Sequence, residues 1–297
     1  MASSIPASAS PQGASAIKAP PRRRNYGGAV GLVIIALVIL MAILAPVLSA
    51  YAPNAQDLFS RLKPPGFVPP AGGPPHWLGT DQLGRDIWAR VLYSARISLF
   101  IGIISVSLTA VVGTLLGLMA GFYRGVVETV IMRLVDLLLG VPFILLALAV
   151  IGITGPGLQN LILVIVATRW VQYARILFGQ VLSTAERDFV EAAHALGSKP
   201  FRILIKHILP NVAPTTIVLA TLDLGFVIIL ESGLSFLGLG VSPSTPTWGM
   251  MLAEGRAYLN NAWWLGTWPG VAIMITVLGF NLLGDWARDK LDPTLRR

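Results

Sequence analysis

Apolar runs of about 20 residues recur six times along this chain, separated by short polar or proline-rich connectors. Runs of that length match a bilayer core of roughly 30 Å at about 1.5 Å of helix rise per residue, so the pattern predicts an all-α integral membrane protein with six transmembrane helices. The first run extends from Gly28 to Leu48 and is read as a span over residues 28–50. Five more are expected over 95–121, 129–152, 158–178, 212–238 and 266–286, each ended by glycine, proline or charge. Ala50-Tyr51-Ala52 imitates a signal cleavage site, but the preceding run exceeds the roughly 15 residues of a secretory signal, so the span is expected to be retained.

The connectors differ in kind. Residues 1–27, rich in Ser, Ala and Pro at their start, predict a disordered tail, and 291–297 a second, short one. Residues 51–94 contain three Pro-Pro pairs, at 64–65, 69–70 and 74–75, and predict a turn-rich loop outside the hydrocarbon. Within it, the stretch GRDIWARVLYSARISL beginning at Gly84 puts Ile87, Val91 and Leu92 on one helical face opposite charge, which predicts a short interfacial helix leading into the second span.

The segment 183–210 is the most sharply punctuated. Ser183 and Glu186 have capping-box spacing, which predicts a helix from about residue 184 to Gly197, where a left-handed residue closes it. Ser198 is expected to cap the next helix, and Pro200 falls in its first turn. Phe201, Leu204, Ile205 and Ile208 form its apolar stripe, and Pro210 is expected to end the unit before the fifth span. Pattern alone leaves two readings open, a hairpin resting on lipid or a docking element.

Composition agrees with the spans: 55% of residues are hydrophobic and 12% charged, with a mean hydropathy of +0.73. The formal charge of +8 comes from short basic segments flanking the apolar runs, a placement that orients a protein in a bilayer and does not suggest nucleic-acid binding. Cytoplasmic termini put Arg22 to Arg24, Arg124, the 187–206 group and the 288–297 tail on one side. Loop 51–94 then lies outside, its Arg61, Lys63, Arg85 and Arg90 offset by Asp57, Asp81 and Asp86. With no cysteine, thiol chemistry and cysteine-ligated metals are excluded.

The chain contains no phosphate loop, HExxH or G-x-S-x-G motif, and its three histidines are scattered over loops, so no enzyme, cofactor or metal site is expected. Asp223 and Glu231 fall inside the fifth span, where an unpaired charge costs at least ~2.5 kcal/mol. They are expected either to line a translocation route or to pair with a group such as Arg169 in the fourth span. As a proton relay they would serve the main alternative, a proton-coupled secondary transporter. Arg133 and Asp136 are expected to form a local ion pair.

Glu191-Ala192-Ala193, Gly197 and Leu209-Pro210 fall at the spacing of the EAA motif, with His207 where that motif commonly has Ile. The loop therefore resembles the cytoplasmic loop of permease subunits of bacterial ATP-binding-cassette (ABC) importers. Leu78–Asp86 (LGTDQLGRD) and Leu234–Leu252 (LSFLGLGVSPSTPTWGMML) are similar to stretches of the second permease of dipeptide, oligopeptide and nickel importers. The resemblance implies a type I importer permease in the bacterial inner membrane, with residues 191–198 (Glu191, Ala192, Ala193, His194, Ala195, Leu196, Gly197 and Ser198) as the coupling contact. It also implies a second homologous permease, two ATP-binding subunits and an extracytoplasmic solute-binding protein as partners. The solute stays open among peptides, glutathione-like thiols, nickel complexes and opine-like conjugates.

Overall fold

The computed structural model describes residues 26–70, 72–242 and 244–291; the expected tails up to residue 25 and from 292, with Arg22 to Arg24, lie outside the described residues. Ten α-helices follow one another, and no β-strand occurs among the described residues: α1 (Gly27–Leu48), α2 (Ile87–Tyr123), α3 (Gly125–Gly140), α4 (Phe143–Thr154), α5 (Leu158–Ala185), α6 (Asp188–Ala195), α7 (Pro200–Ile203), α8 (Leu209–Phe236), α9 (Trp248–Gly255) and α10 (Trp264–Leu291). Among the described residues, five helical segments are long and apolar enough to span a bilayer, one of them being Pro200–Phe236 taken as a unit.

The third expected span, 129–152, is not one rod. It consists of α3 and α4, meeting at 94°. Pro142 is the cause: a residue before proline is pushed to extended backbone, and Val141 has φ −96° and ψ 126°. Asp136 on α3 pairs across the bundle with Arg175 of α5 at 3.1 Å, so the expected local pair with Arg133 is corrected.

α2 forms the axis of the bundle and packs most extensively along α5, then along α8. The α2–α5 seam is closed by Gly113, Gly117 and Gly121, spaced four apart on one face of α2. A Cβ at Gly113 would lie 2.4 Å from Tyr173 Cβ and 2.6 Å from the Trp170 carbonyl, and one at Gly117 would lie 2.9 Å from the Ala174 carbonyl. Small residues at this spacing let two membrane helices approach to backbone contact.

α1 contains Pro46, which has no N–H to offer the carbonyl four residues back, that of Ala42. Arg96 of α2 makes up the loss: its Nε donates to Ala42 O at 2.6 Å and its Nη2 to Ile43 O at 3.1 Å. Arg96→Met is expected to destabilise the chain by about 1–3 kcal/mol, the cost of an orphaned buried acceptor. Pro46→Ala restores the missing donor and should shrink that loss in a double-mutant cycle of detergent melting; equal losses in both backgrounds would contradict the account.

The described residues between Ser49 and Asp86 lie mostly in turns, and the charges at the end of this segment, Asp81, Arg85 and Asp86, are buried. Asp81 Oδ2 accepts from Arg85 Nε at 2.5 Å and Arg90 Nη1 at 2.6 Å, and Glu254 of α9 accepts from the same two arginines at 2.8 and 2.9 Å. Arg90 is 1% exposed. The expected interfacial helix with a charged outer face is therefore corrected: these residues begin α2 itself, and the charged face is turned inward onto α9. Asp86 caps α2, accepting from Ala89 N–H at 2.7 Å, and also meets His76 Nδ1 at 2.8 Å. Burial pushes the Asp86 carboxyl up despite these two partners. The motif-like stretch Leu78–Asp86 is thus the turn that builds this network.

Candidate functional site

Two regions contain the residues singled out from sequence. The first is the α5–α8 connection. α5 runs on to Ala185, so Ser183 lies inside it and caps nothing, and the Glu186 carboxylate turns to Arg124 at 2.8 Å. The expected capping box is corrected accordingly. α6 begins after Arg187, which makes no side-chain cap, and Asp188 and Glu191 in its first turn favour the positive end of the helix dipole.

The end of α6 is as expected. Gly197 has φ +74°, its N–H donates to the His194 carbonyl at 2.9 Å, and Ser198 N–H donates to the Ala193 carbonyl at 3.1 Å. This pair of bonds closes a helix around a left-handed residue that glycine adopts without penalty. Ser198 does not cap α7; Lys199 occupies that position without a side-chain bond, and Pro200 is the first helical residue.

The expected stripe and stop after it are both revised. Ile203, Leu204 and Ile208 are buried, whereas Phe201 and Ile205 are exposed. The turn Leu204–Ile208 is a π-turn, with Leu209 N–H bonded to Leu204 O five residues back. That widening shifts the buried face by one position. It also admits Pro210, whose ring would collide with a carbonyl in a regular helix interior. Pro210 ends nothing; α7, the π-turn and α8 form one 37-residue segment, Pro200–Phe236.

Val190 and Ala193 anchor α6 against Leu118, Val181, Ile203 and Ile208. Its other face looks outward: Glu191, Ala192, His194 and Ala195 are exposed, and Leu196 is 86% and Phe201 69% exposed. His194 stacks on Phe122 with ring centres 6.2 Å apart. The bend therefore presents an apolar knob on a rigid seat.

The second region lies between α5 and α8. Arg169 on α5 is bonded to Asp223 on α8, and its guanidinium lies 4.3 Å from the Phe226 ring centre. Tyr173 OH donates to Asp223 Oδ2 at 3.2 Å. Sequence reasoning missed Tyr173, although its place one turn after Arg169 was a usable signal. These side chains line a cavity of about 220 Å³. It adjoins, through Leu219 and Leu222, a larger one of about 680 Å³ that reaches Arg187 and Arg288. Glu231, 1% exposed, stands apart from both: Ser235 Oγ donates to it at 2.8 Å, next to the start of α9.

Residues 113–297 match the profile of the family described as binding-protein-dependent transport system inner membrane component, and residues 23–65 that of the N-terminal TM domain of oligopeptide transport permease C. The dipeptide transport system permease protein DppC of Alkalihalophilus pseudofirmus is 41% identical over 274 residues, covering 92% of this chain and 88% of that protein. The oligopeptide transport system permease protein OppC of Bacillus subtilis is 40% identical over 275 residues, covering 93% and 88%. Among solved structures, the MetNI methionine ABC transporter in an inward-facing form matches with a TM-score of 0.57 at 19% identity, covering 69% of this chain and 97% of that one, a likeness of fold alone. The family match covers more than half of the chain and agrees with close relatives along nearly its whole length. The chain belongs to the binding-protein-dependent transport system inner membrane components: it is a multi-pass permease subunit of an ATP-driven ABC importer, working with separate subunits that hydrolyse the ATP.

Proposed function

We propose that this permease carries di- or oligopeptides, or a related small solute, and that the α6–α7 bend is the joint through which ATPase movement reaches the spans. The relatives named for dipeptide and oligopeptide transport support the solute class. In this reading the chain forms half of a pathway whose other half is a homologous permease. Two ATP-binding subunits drive it, and an extracytoplasmic binding protein delivers the solute. Alternating access then follows from moving the bend.

One observation supports the joint above all: the exposed bend leads directly into the single helical segment that contains α8. Phe201 stands at the start of the unbroken Pro200–Phe236 segment, so a push on it is carried along that segment to Asp223, inside the bundle. Charge supports the bend being cytoplasmic. Arg187, Lys199, Arg202, Lys206 and Arg288 gather at this end, and Gly28 packs on Trp286, which brings the start of α1 there too. At the opposite end Arg85 and Arg90 are neutralised internally. Proton-coupled transport draws no support from the relatives, so a protonophore given at constant ATP should leave uptake running.

The test is made on the bend. Burying a leucine contributes about 1.5–3 kcal/mol, so Leu196→Glu should weaken ATPase-subunit binding by roughly 10- to 100-fold. Gly197→Val should cost about 1–2 kcal/mol through the left-handed backbone; nothing lies within 4 Å of a Cβ there, so strain and not collision is responsible. Both variants should insert normally while ATPase copurification and uptake fall. Full copurification with wild-type uptake in both would sink the coupling role.

A further inference from the structure

Asp223 and Glu231 are both buried acids of α8, but their surroundings differ. Glu231 is enclosed by Ser235, Ser232 and the start of α9, with Ser235 Oγ donating to it at 2.8 Å. Asp223 forms the wall of a cavity, facing Arg169 and Tyr173. Arg169 has more to give than Asp223 takes: a guanidinium carries five N–H donors, and its Nε is buried without an acceptor. The cavity lies between α5 and α8, and its walls Leu219 and Leu222 are shared with the larger cavity that Arg187 and Arg288 also line.

We propose that Arg169 and Asp223 are a charge-reading pair in the wall of this cavity, where Arg169 takes the carboxylate of a zwitterionic solute and Asp223 its ammonium group. The proposal rests on the permease reading above. Arg169's planar fork suits a carboxylate, which it holds by two parallel bonds. With no solute present the two side chains neutralise each other, so neither charge stands alone in the membrane. A zwitterion replaces both partners at once. A solute with a single charge engages one side chain and leaves the other unpaired, and that penalty is the source of selectivity. Phe226 beneath the guanidinium and Tyr173 on the carboxylate hold the two groups in place. The pair spans two helices, and α8 is the one continuous with the bend, so a shift of the bend alters the gap between them.

The chain has no cysteine, so Gln172→Cys on the cavity wall supplies the single thiol of this chain, and labelling is read on this chain after the subunits are separated. The complex is purified with its own partner subunits, reconstituted into liposomes without nucleotide, and exposed to a polar thiol reagent from both sides. The thiol should react. Alanyl-alanine at about ten times its half-protecting concentration should slow that reaction about tenfold by mass action. Its C-terminal amide and its N-acetyl derivative, each lacking one charge, should protect far less. In Arg169→Gln or Asp223→Asn the thiol should still react while the preference for the zwitterion disappears. The three-probe comparison needs neither variant, so it decides the matter even if both fail to assemble. A thiol that reacts only after denaturation, or equal protection by the three probes, overturns the proposal. Stimulation of ATP hydrolysis by loaded binding protein, read on the same complex, reports separately on the coupling reading.

Discussion

Asp81→Asn should destabilise the chain by about 3–5 kcal/mol, the largest effect expected of any single substitution here. Asp81 Oδ2 accepts from both Arg85 and Arg90, and its Oδ1 accepts from the backbone N–H of Leu83 and Arg85 at 2.8 and 2.9 Å. Neutralising it leaves two buried guanidinium groups with one carboxylate, Glu254. Arg90 already has Nε and Nη2 without partners, so it has no substitute acceptor. Glu254→Gln should cost less, because Glu254 is partly exposed and water can take its place. A melting temperature for Asp81→Asn within ~2 °C of wild type, the shift of about 1 kcal/mol or less in a chain of this size, would show that the network is not holding α2 to α9.

Gly113→Leu should be nearly as damaging, at about 3 kcal/mol or more, because it forces apart two backbones instead of crowding a soft core. The added Cβ alone would sit 2.4 Å from Tyr173 Cβ and 2.6 Å from the Trp170 carbonyl. Neither atom is the free end of a side chain, so α5 must move as a body. That movement also displaces Tyr173 from Asp223, so any activity left after insertion should show a disturbed Arg169–Asp223 site. Gly152→Leu in α4 is the control: nothing lies within 4 Å of a Cβ there, and leucine suits a helix better than glycine. Equal behaviour of the two variants in detergent stability would mean that the seam tolerates separation.

The cost of each change comes from contacts across the bundle, and that is also where reading the chain alone stops. The spans were legible because twenty apolar residues in a row need lipid whatever surrounds them. Gly197 was legible because a helix end needs a left-handed residue locally. Ser183 and Glu186 misled for a related reason: their spacing is a cap only if a helix starts there, and α5 was still running. Pro142 bent a span and Pro210 did not, since a π-turn ahead of Pro210 absorbed it.

The sequence by itself determined the membrane class, the number of apolar runs, the bend at Gly197 and the family-like stretches, all properties of near neighbours along the chain. Tertiary structure decided which charges meet. Arg90 finds Glu254 164 positions away, Asp136 takes Arg175 in place of Arg133, and Asp223 takes Arg169 from 54 positions away. A buried charge must find a partner, but which one depends on the helix packed opposite, and local periodicity carries no information about that.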